Sequence, residues 1–176
     1  VKPSSIAPLN SIIGSQIKGV NRRGKFLWLS LDRPVAVVAH LGMSGQLLVQ
    51  PKDLPAHKHL RASFLLSGKP LSQKQNEIRF VDQRTFGWVS IEEYEGDVPT
   101  SVAHIAMDPF EESFDLAAVV NRIRSRKSAI KPTLLNQEIV SGIGNIYADE
   151  ALWRAKIHPE IICEDLSNAE VKRCLL

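Results

Sequence analysis

The sequence predicts an α+β fold, in which an antiparallel β-sandwich is followed by a helical domain. Two patterns indicate this order. Up to about residue 97, short runs rich in β-branched and aromatic residues alternate with turn residues, as in antiparallel sandwiches and barrels. From residue 113 onward, apolar residues recur at a helical period instead. We therefore predict a β domain over residues 1–97, a connection over residues 98–112 and a helical domain over residues 113–176.

Seven segments of the first half are predicted to be strands. They are residues 16–20, 25–31, 34–41, 45–49, 61–66, 77–82 and 86–91. The plainest turns are at residues 32–34 and 67–70, where Asp, Ser, Gly and Pro collect. The mainly polar residues 71–76 predict an exposed loop.

The residues at their N-termini indicate where the first and last helices of the second half begin. Asp115 favours the start of a helix whose apolar stripe is formed by Leu116, Val119, Val120 and Ile123. Ser167 and Glu170 form a capping box, with Leu166 and Val171 placed as a hydrophobic staple. Because Leu176 ends the sequence within a few turns of this start, we expect the chain to be part of a longer protein.

Two further helices are predicted on either side of Gly142 and Gly144. Pro132 suits a first helical position, where its missing N–H would be unpaired anyway. Asn145 is predicted as the N-cap of the next helix, which His158-Pro159 should end. Its apolar stripe consists of Ala148, Ala151, Leu152 and Ala155. Glycines beside a helix N-terminus allow an anion to approach, but the spacing alone favours an ordinary helix–loop–helix with a glycine cap.

Charge is segregated along the chain although the net charge is only +3. Residues 121–135 contain five Lys and Arg residues and no acid, whereas acidic residues collect at 92–97 and 108–112. This distribution is better evidence for nucleic-acid binding than the total, although a solvated helix face explains it too. No apolar run is long enough to predict a membrane span, and no signal-peptide pattern opens the chain.

The sequence predicts no metal site. Cys163 and Cys174 lack the Cys-x-x-Cys spacing and suit a reduced cytosolic protein. His57 and His59 offer two imidazoles without a third ligand nearby in the sequence, so metal binding there is the minor alternative.

Three polar motifs in the first half are weak predictors when each is taken alone. Arg84 and Phe86, two residues apart, are predicted to share one side of a strand, where Phe could wedge between bases. An Arg on aliphatic surface is the commoner explanation. At residues 22–25, three cations surround a glycine, and a solvated turn explains them equally well. At residues 40–45, glycines would permit a close approach by a ligand, but a β-turn with a core methionine is the favoured interpretation of that motif alone.

Together and in this order, the motifs resemble the bacterial formamidopyrimidine-DNA glycosylases, which excise 8-oxoguanine and other oxidised purines from DNA. The resemblance covers nearly the whole chain. It rests on R-R-G-K-F-L at 22–27, H-L-G-M-S-G at 40–45, K-H at 58–59, D-Q-R-T-F-G at 82–87, K-S-A-I-K-P at 127–132, and residues 134–159, which look like the family's helix–two-turn–helix.

The resemblance implies a role for each matching residue. Lys25 matches the lysine that acts as proton donor in β-elimination, and Met43, Arg84 and Phe86 match the trio that fills the space left by an everted nucleotide. The residues that match DNA-contact positions are His40, His59, Arg84, Arg126, Lys131 and Asn145. Most of these contacts should position DNA without reading its sequence.

The chain also departs from the family pattern. The family's mature chain begins with a proline, the nucleophile that forms a Schiff base, and a glutamate; Val1 aligns about thirty residues later. The family's single zinc would be held by a four-cysteine finger beyond Leu176, so we expect this chain to bind no cofactor. Gln83 and Thr85 replace the commoner proline and arginine. The chain alone is therefore expected to be inactive.

The resemblance implies base-excision repair by a bifunctional glycosylase and abasic-site lyase. Its partner would be damaged double-stranded DNA, bound by a monomer in the bacterial cytoplasm at the nucleoid, without a membrane. Two alternatives stay open: a non-catalytic helix–two-turn–helix module, and an endonuclease VIII-type glycosylase for oxidised pyrimidines. Lys25 and the trio argue against the first, and H-L-G-M-S-G with the Arg-x-Phe spacing against the second.

Overall fold

A computed structural model describes residues 5–68 and 75–175 and confirms the predicted α+β class. The chain forms two compact units. The β unit contains the chain up to Val20 together with Phe26–Tyr94, and the helical unit contains Asn21–Lys25 together with the chain from Glu95 onward. The sequence did not predict that residues 21–25 group with the helices.

All seven predicted strands are present, with ends that differ by a few residues from the prediction. They are β1 (Ile17–Arg23), β2 (Phe26–Leu31), β3 (Val35–His40), β4 (Gln46–Pro51), β5 (Leu60–Leu65), β6 (Asn76–Val81) and β7 (Trp88–Glu95). In one sheet β1, β2, β3 and β7 are successive neighbours, and a second sheet has the order β4-β6-β5. The strand pairs β2–β3, β3–β7, β4–β6 and β5–β6 are antiparallel. Most of the turn predicted at 67–70 and the loop predicted at 71–76 lie outside the described residues.

Strand β3 is the buried centre of the first sheet. Val37 is opposite Leu29 on β2 and Ile91 on β7. Val37 and Ile91 form a cluster with Leu31, against which Phe64 of the second sheet packs. Full burial of one such aliphatic side chain contributes roughly 1.5–3 kcal/mol, so this cluster is a main source of the unit's stability.

The helical unit is organised round one apolar core. It contains the short strand β8 (Val98–Pro99) and helices α1 (Leu116–Arg124), α2 (Ile130–Leu135), α3 (Asn145–Ala155) and α4 (Asn168–Leu175). Each helix contributes buried side chains to the core, among them Val120, Ile123, Ile130, Leu134, Ala148, Leu152, Val171 and Cys174. The stripe predicted for α1 is confirmed, because Val120 and Ile123 are buried and Leu116 and Val119 pack beside them.

The start predicted for α1 and the capping box predicted for α4 are confirmed. Asp115 precedes α1, and its carboxylate accepts from the Ala118 N–H at 2.9 Å. Before α4, Ser167 Oγ accepts from the Glu170 N–H at 3.3 Å, while Glu170 Oε2 accepts from the Ser167 N–H at 2.8 Å. Both ends satisfy N–H groups that a helix leaves unpaired.

The predicted ends of α2 and α3 are wrong by one to three residues. Pro132 is the third residue of α2, where its missing N–H still belongs to the unpaired first turn. Gly144 is the N-cap of α3, and Asn145 is its first helical residue. Helix α3 ends at Ala155 because Lys156 adopts a left-handed conformation with φ 57°, before His158-Pro159 is reached.

The two cysteines, Cys163 and Cys174, are buried free thiols. Burial raises the pKa of Cys174 to about 11 and raises the pKa of Cys163 as well. Within residues 5–68 and 75–175, no helix has the length and apolar character needed to cross a membrane.

Candidate nucleic-acid interface

Lys25 is held in the helical unit by the two arginines that precede it. Arg22 Nη1 contacts Asp108 Oδ2 at 3.0 Å, and Arg23 Nη2 contacts Glu111 Oε2 at 3.3 Å. Asp108 is almost fully buried, so its pairing with Arg22 offsets the cost of burying its charge. These ion pairs attach residues 21–25 to the segment before α1.

The Lys25 amino group docks on Gly142-Ile143-Gly144, the glycine loop that precedes α3. Nζ donates to the Ile143 carbonyl at 3.0 Å. A Cβ at Gly24 would lie 2.8 Å from Ser141 Cβ, closer than two side-chain carbons can approach. Gly24 therefore allows residues 21–25 to approach the segment before α3 closely. Burial lowers the pKa of Lys25 from its ordinary value, because desolvation disfavours the charged ammonium.

Three other predicted contact residues belong to the helical unit, two in the first turns of helices and one in the loop between α1 and α2. Asn145, the first residue of α3, and Arg126, between α1 and α2, are both exposed. Lys131, in the first turn of α2, is half-buried and its Nζ pairs with Asp149 Oδ1 at 2.7 Å. Part of the charge of Lys131 is therefore already balanced within the protein.

In the β unit, two neighbouring turns bring Met43 and Arg84 together. Arg84 Nη1 lies 3.6 Å from Met43 Sδ. Met43 is 72% exposed and Phe86 is 57% exposed, so both large apolar side chains face solvent. The alternative of a core methionine is wrong, and the turns present apolar side chains that have no place in the β core.

Asp82, which the sequence analysis did not single out as a site residue, joins these two turns. Its Oδ1 accepts from Ser44 Oγ at 2.6 Å and from the Arg84 N–H at 3.2 Å. Its Oδ2 accepts from the Gly87 N–H at 2.8 Å. The hydrogen bond from Ser44 is the main cause that lowers the pKa of Asp82, and the backbone bonds assist.

The prediction that Arg84 and Phe86 share one side of a strand is wrong. Strand β6 ends at Val81 and β7 begins at Trp88, so both residues lie in the turn between them. Thr85 has φ 57°, a left-handed conformation in which the alternation of a strand is lost. The turn arises because the Asp82 carboxylate bonds backbone N–H groups that would otherwise continue a ladder.

The two histidines predicted to contact DNA have different surroundings. His40, at the end of β3, stacks on Trp88 with ring centroids 6.0 Å apart, and its Nδ1 accepts from the Gly42 N–H at 3.2 Å. His59 precedes β5, and burial, followed by the charge of Lys58, lowers its pKa. Both imidazoles are therefore held next to the turns at the ends of strands.

Metal binding has no support among the residues that the structure describes. They contain no group of three or more His, Cys, Asp or Glu side chains placed to hold an ion. His57 Nδ1 accepts instead from the His59 N–H at 3.1 Å. Residues 5–68 and 75–175 therefore do not fit a zinc site.

Two family models together match nearly the whole chain. Residues 2–89 match the formamidopyrimidine-DNA glycosylase N-terminal domain. Residues 105–175 match the formamidopyrimidine-DNA glycosylase H2TH domain, the helix–two-turn–helix.

Relatives with the same name have closely similar sequences. The formamidopyrimidine-DNA glycosylase of Rhodococcus opacus is 50% identical over 174 residues, which cover 96% of this chain and 58% of the relative. That of Nocardioides sp. is 48% identical over 165 residues, which cover 94% and 55%. The chain thus spans somewhat more than half the length of these relatives.

Solved structures agree with the sequence relatives. The Lactococcus lactis enzyme, bound non-covalently to DNA containing an abasic site, matches with a TM-score of 0.73 and 30% identity over 92% of this chain and 60% of its own. The MutM (Fpg) protein of Thermus thermophilus matches with a TM-score of 0.74 and 33% identity, covering 92% and 57%. The resemblance inferred from the motifs is confirmed: the chain belongs to the formamidopyrimidine-DNA glycosylase family.

Proposed function

We propose that the protein containing this chain is a base-excision DNA glycosylase and abasic-site lyase that removes oxidised purines from double-stranded DNA. The observation that carries the proposal is the partly desolvated Lys25 amino group, held on the glycine loop beside the N-terminus of α3. A helix N-terminus attracts phosphate, and a lysine with a lowered pKa exchanges protons more readily near neutral pH.

Lys25 serves as the proton donor in β-elimination. An amine attacks C1′ of the damaged nucleotide, the base leaves with the proton that the amine loses, and the sugar ring opens to an imine as its oxygen takes a proton from solvent. The imine makes the C2′ proton acidic. Solvent takes that proton, the bond from C3′ to the phosphate oxygen breaks, and Lys25 protonates the departing oxygen. A residue in this role needs a charged form that survives at working pH and gives up its proton without a large cost. Desolvation by burial moves the pKa of Lys25 in that direction.

Met43, Arg84 and Phe86 replace the damaged nucleotide in the stack. Extruding a base costs a few kcal/mol, and apolar or planar side chains that enter the gap offset part of that cost. The exposure of Met43 and Phe86, and the contact between Arg84 and Met43, support this role, because the three side chains already project from adjoining turns.

Phosphate contacts are assigned to His40 and Asn145, and further DNA contacts to His59, Arg84, Arg126 and Lys131. Exposed Arg126 and Asn145 support this assignment most directly. Such contacts position the duplex without reading its sequence, which suits a search for damage at any site in a bacterial chromosome. A zinc ion, if the complete protein holds one, is assigned to residues outside this chain, and no proposed step uses it.

The test uses the complete gene product that contains these 176 residues and a duplex carrying one 8-oxoguanine. We expect base release, strand cleavage and a borohydride-trapped complex with this duplex. Lys25→Ala should reduce the elimination of a preformed abasic site by at least about 100-fold. Base release and strand cleavage that persist undiminished in Lys25→Ala would contradict the assigned role.

Two comparisons separate the alternatives. Clear preference for thymine glycol over 8-oxoguanine would favour an endonuclease VIII-type specificity, and DNA binding without any cleavage would favour a non-catalytic module. The 176-residue chain alone should bind DNA and form no trapped complex, because Lys25 is assigned as acid and not as nucleophile. A trapped complex with this chain would show that the nucleophile lies within it.

A further inference from the structure

One side chain fixes the loop between α2 and α3 through both ends of its amide. Gln137 Oε1 accepts from the Gly142 N–H at 3.0 Å, and Nε2 donates to the Leu135 and Ile143 carbonyls, each at 2.9 Å. If the side-chain oxygen and nitrogen of Gln137 exchanged places, the oxygen would face the Leu135 and Ile143 carbonyls, which can only accept hydrogen bonds. Only the present orientation of the amide therefore satisfies all three contacts. The amide thereby ties the end of α2 to the glycine loop.

The Ile143 carbonyl receives two donors, Gln137 Nε2 and Lys25 Nζ, at 2.9 and 3.0 Å. A carbonyl oxygen has two lone pairs, so both bonds form together. Because they share one oxygen, the two nitrogens are at most about 6 Å apart. Gln137 is therefore a direct neighbour of the Lys25 docking point.

The loop needs such a constraint because glycines flank the carbonyl. Gly142 has φ 89°, and Gly144 follows Ile143 directly. Glycine leaves the backbone more conformational freedom than any other residue, so the Ile143 peptide would otherwise reorient readily. Gln137 is itself anchored, since its carbonyl accepts from the Ala106 N–H at 2.9 Å.

We propose that Gln137 is a positioning residue for Lys25, which holds the Ile143 carbonyl where the Lys25 amino group docks. The amino group is thereby kept at one place for proton transfer, although Gln137 itself does not touch the DNA. The inference rests on the proposed function of Lys25 and adds the side chain that places it.

A carboxylate introduced at position 137 should act mainly on Lys25, because the other nearby cations already have acidic partners. The nearby cations Arg22 and Arg23 are paired with Asp108 and Glu111. In the same turn as Gln137, Glu138 is exposed. Gln137→Glu keeps an acceptor for the Gly142 N–H, loses the donor to Ile143, and brings a new negative charge close to Lys25.

The experiment compares Gln137→Glu with Asn136→Asp in the complete gene product. Asn136→Asp makes the same change of net charge one residue away, and it keeps the acceptor that Asn136 Oδ1 offers to the Glu138 N–H at 2.9 Å. The first readout is the pKa of Lys25, followed by NMR of lysine-labelled protein. The second is the rate of β-elimination on abasic DNA as a function of pH, at saturating enzyme.

Gln137→Glu should raise the pKa of Lys25 by at least about one unit, because an opposite charge within a few ångströms favours the ammonium. The descending limb of the elimination rate should move to higher pH by the same amount. Asn136→Asp should leave both unchanged. Gln137→Ala should lower the elimination rate about 10-fold through misplacement of the amino group, with little change in the melting temperature.

The inference is overturned if Gln137→Glu and Asn136→Asp shift the pKa of Lys25 equally, or if Gln137→Ala eliminates within twofold of wild type. Failure of the proposed function is distinguishable from either result. If the proposed function fails, Lys25→Ala will show an unchanged elimination rate. The NMR titration of Lys25 would still decide whether Gln137 places its amino group.

Discussion

At the scale of single residues, the role proposed for the Lys25 amino group predicts the pH dependence of strand cleavage. Only the protonated form donates, so the elimination rate should fall as pH rises through the pKa of Lys25. Burial places that pKa below the ordinary 10.5. Lys25→Arg should retain most of the DNA affinity, yet lose about 100-fold in elimination rate, because guanidinium holds its proton too tightly. Stopped-assay rates on abasic DNA between pH 6 and pH 10 measure both effects.

The outcome that contradicts this prediction is a Lys25→Arg enzyme with the same rate and the same descending limb as wild type. That result would show that another group supplies the proton. Equal loss of affinity and rate in Lys25→Arg would indicate displacement of the loop rather than loss of an acid.

Asp82 determines a second residue-scale prediction, which concerns stability. Its folded pKa is lowered, so the carboxylate stabilises the fold above its unfolded pKa near 3.8, and this contribution is lost as pH falls through the folded value. Asp82→Asn should therefore lower the melting temperature by about 5 °C at neutral pH, with the difference shrinking below pH 4. Calorimetry at several pH values measures it.

Asp97→Asn is a suitable control, because it removes a carboxylate from an exposed turn. A melting-temperature difference for Asp82→Asn that stays constant down to pH 2 would contradict the role of the charged form. If Asp82→Asn binds intact DNA with unchanged affinity but no longer prefers damaged DNA, the hydrogen bonds by which Asp82 joins the two turns contribute to recognition of damage.

At the scale of elements, the C-terminus of α3 gives a pair of predictions of opposite sign. Lys156 is exposed and left-handed, a conformation that costs an L-residue roughly 1 kcal/mol and costs glycine almost nothing. Lys156→Gly should therefore raise the free energy of unfolding by about 0.5–1 kcal/mol. Arg154→Gly, two residues earlier and inside the helix, should lower it by about 1 kcal/mol. Urea titrations measure both.

If both substitutions destabilise equally, α3 continues through Lys156 and the left-handed cap is absent. Lys156→Ala serves as a control for loss of the side chain, since it leaves the strain of the left-handed backbone in place.

Elements with a strong local signal were predictable, whereas the ends of α2 and α3 were not. Seven strands followed from β-branched runs, and Asp115 and Ser167 marked helix starts through bonds within three residues. The end of α3 depends on the single torsion of Lys156, for which the residue type gives no warning. Arg84 and Phe86 were wrongly expected on a strand. The Asp82 carboxylate turns the chain there through a hydrogen bond from distant Ser44 as well as bonds from near neighbours, and the local pattern does not reveal the distant partner.

At the scale of the whole molecule, segregated charge predicts strongly salt-dependent DNA binding. Each phosphate neutralised by a cation contributes about −0.9 to the slope of log K against log salt. Arg126→Ala should therefore make the slope less negative by about one. Asn145→Ala should weaken binding with the slope unchanged, because an amide releases no counterion. Fluorescence anisotropy with an abasic duplex between 50 and 300 mM salt measures both.

An unchanged slope in Arg126→Ala would remove this residue from the DNA interface. Lys156→Ala is the matched cation control, since it lies at the opposite end of α3 from Asn145 and should leave both affinity and slope near wild type.

The association of distant segments was the part of the molecule that sequence reasoning missed. Family motifs predicted Lys25 and Asn145 as site residues. The attachment of residues 21–25 to the helical unit, by contrast, depends on ion pairs from Arg22 and Arg23 to residues more than eighty positions away. Gln137 had no local signal either, because its amide acts by joining Leu135, Gly142 and Ile143 in three dimensions.

The burial of both thiols makes site-specific fluorescent labelling of this chain simple. Maleimides react with exposed thiolates, and both Cys163 and Cys174 are buried with raised pKa values, so the folded chain should be almost inert to them. A cysteine introduced at exposed Trp153 would then carry a single fluorophore without prior removal of the native thiols. If the proposed function holds, single-molecule tracking of the 176-residue chain on DNA could thus begin from one substitution.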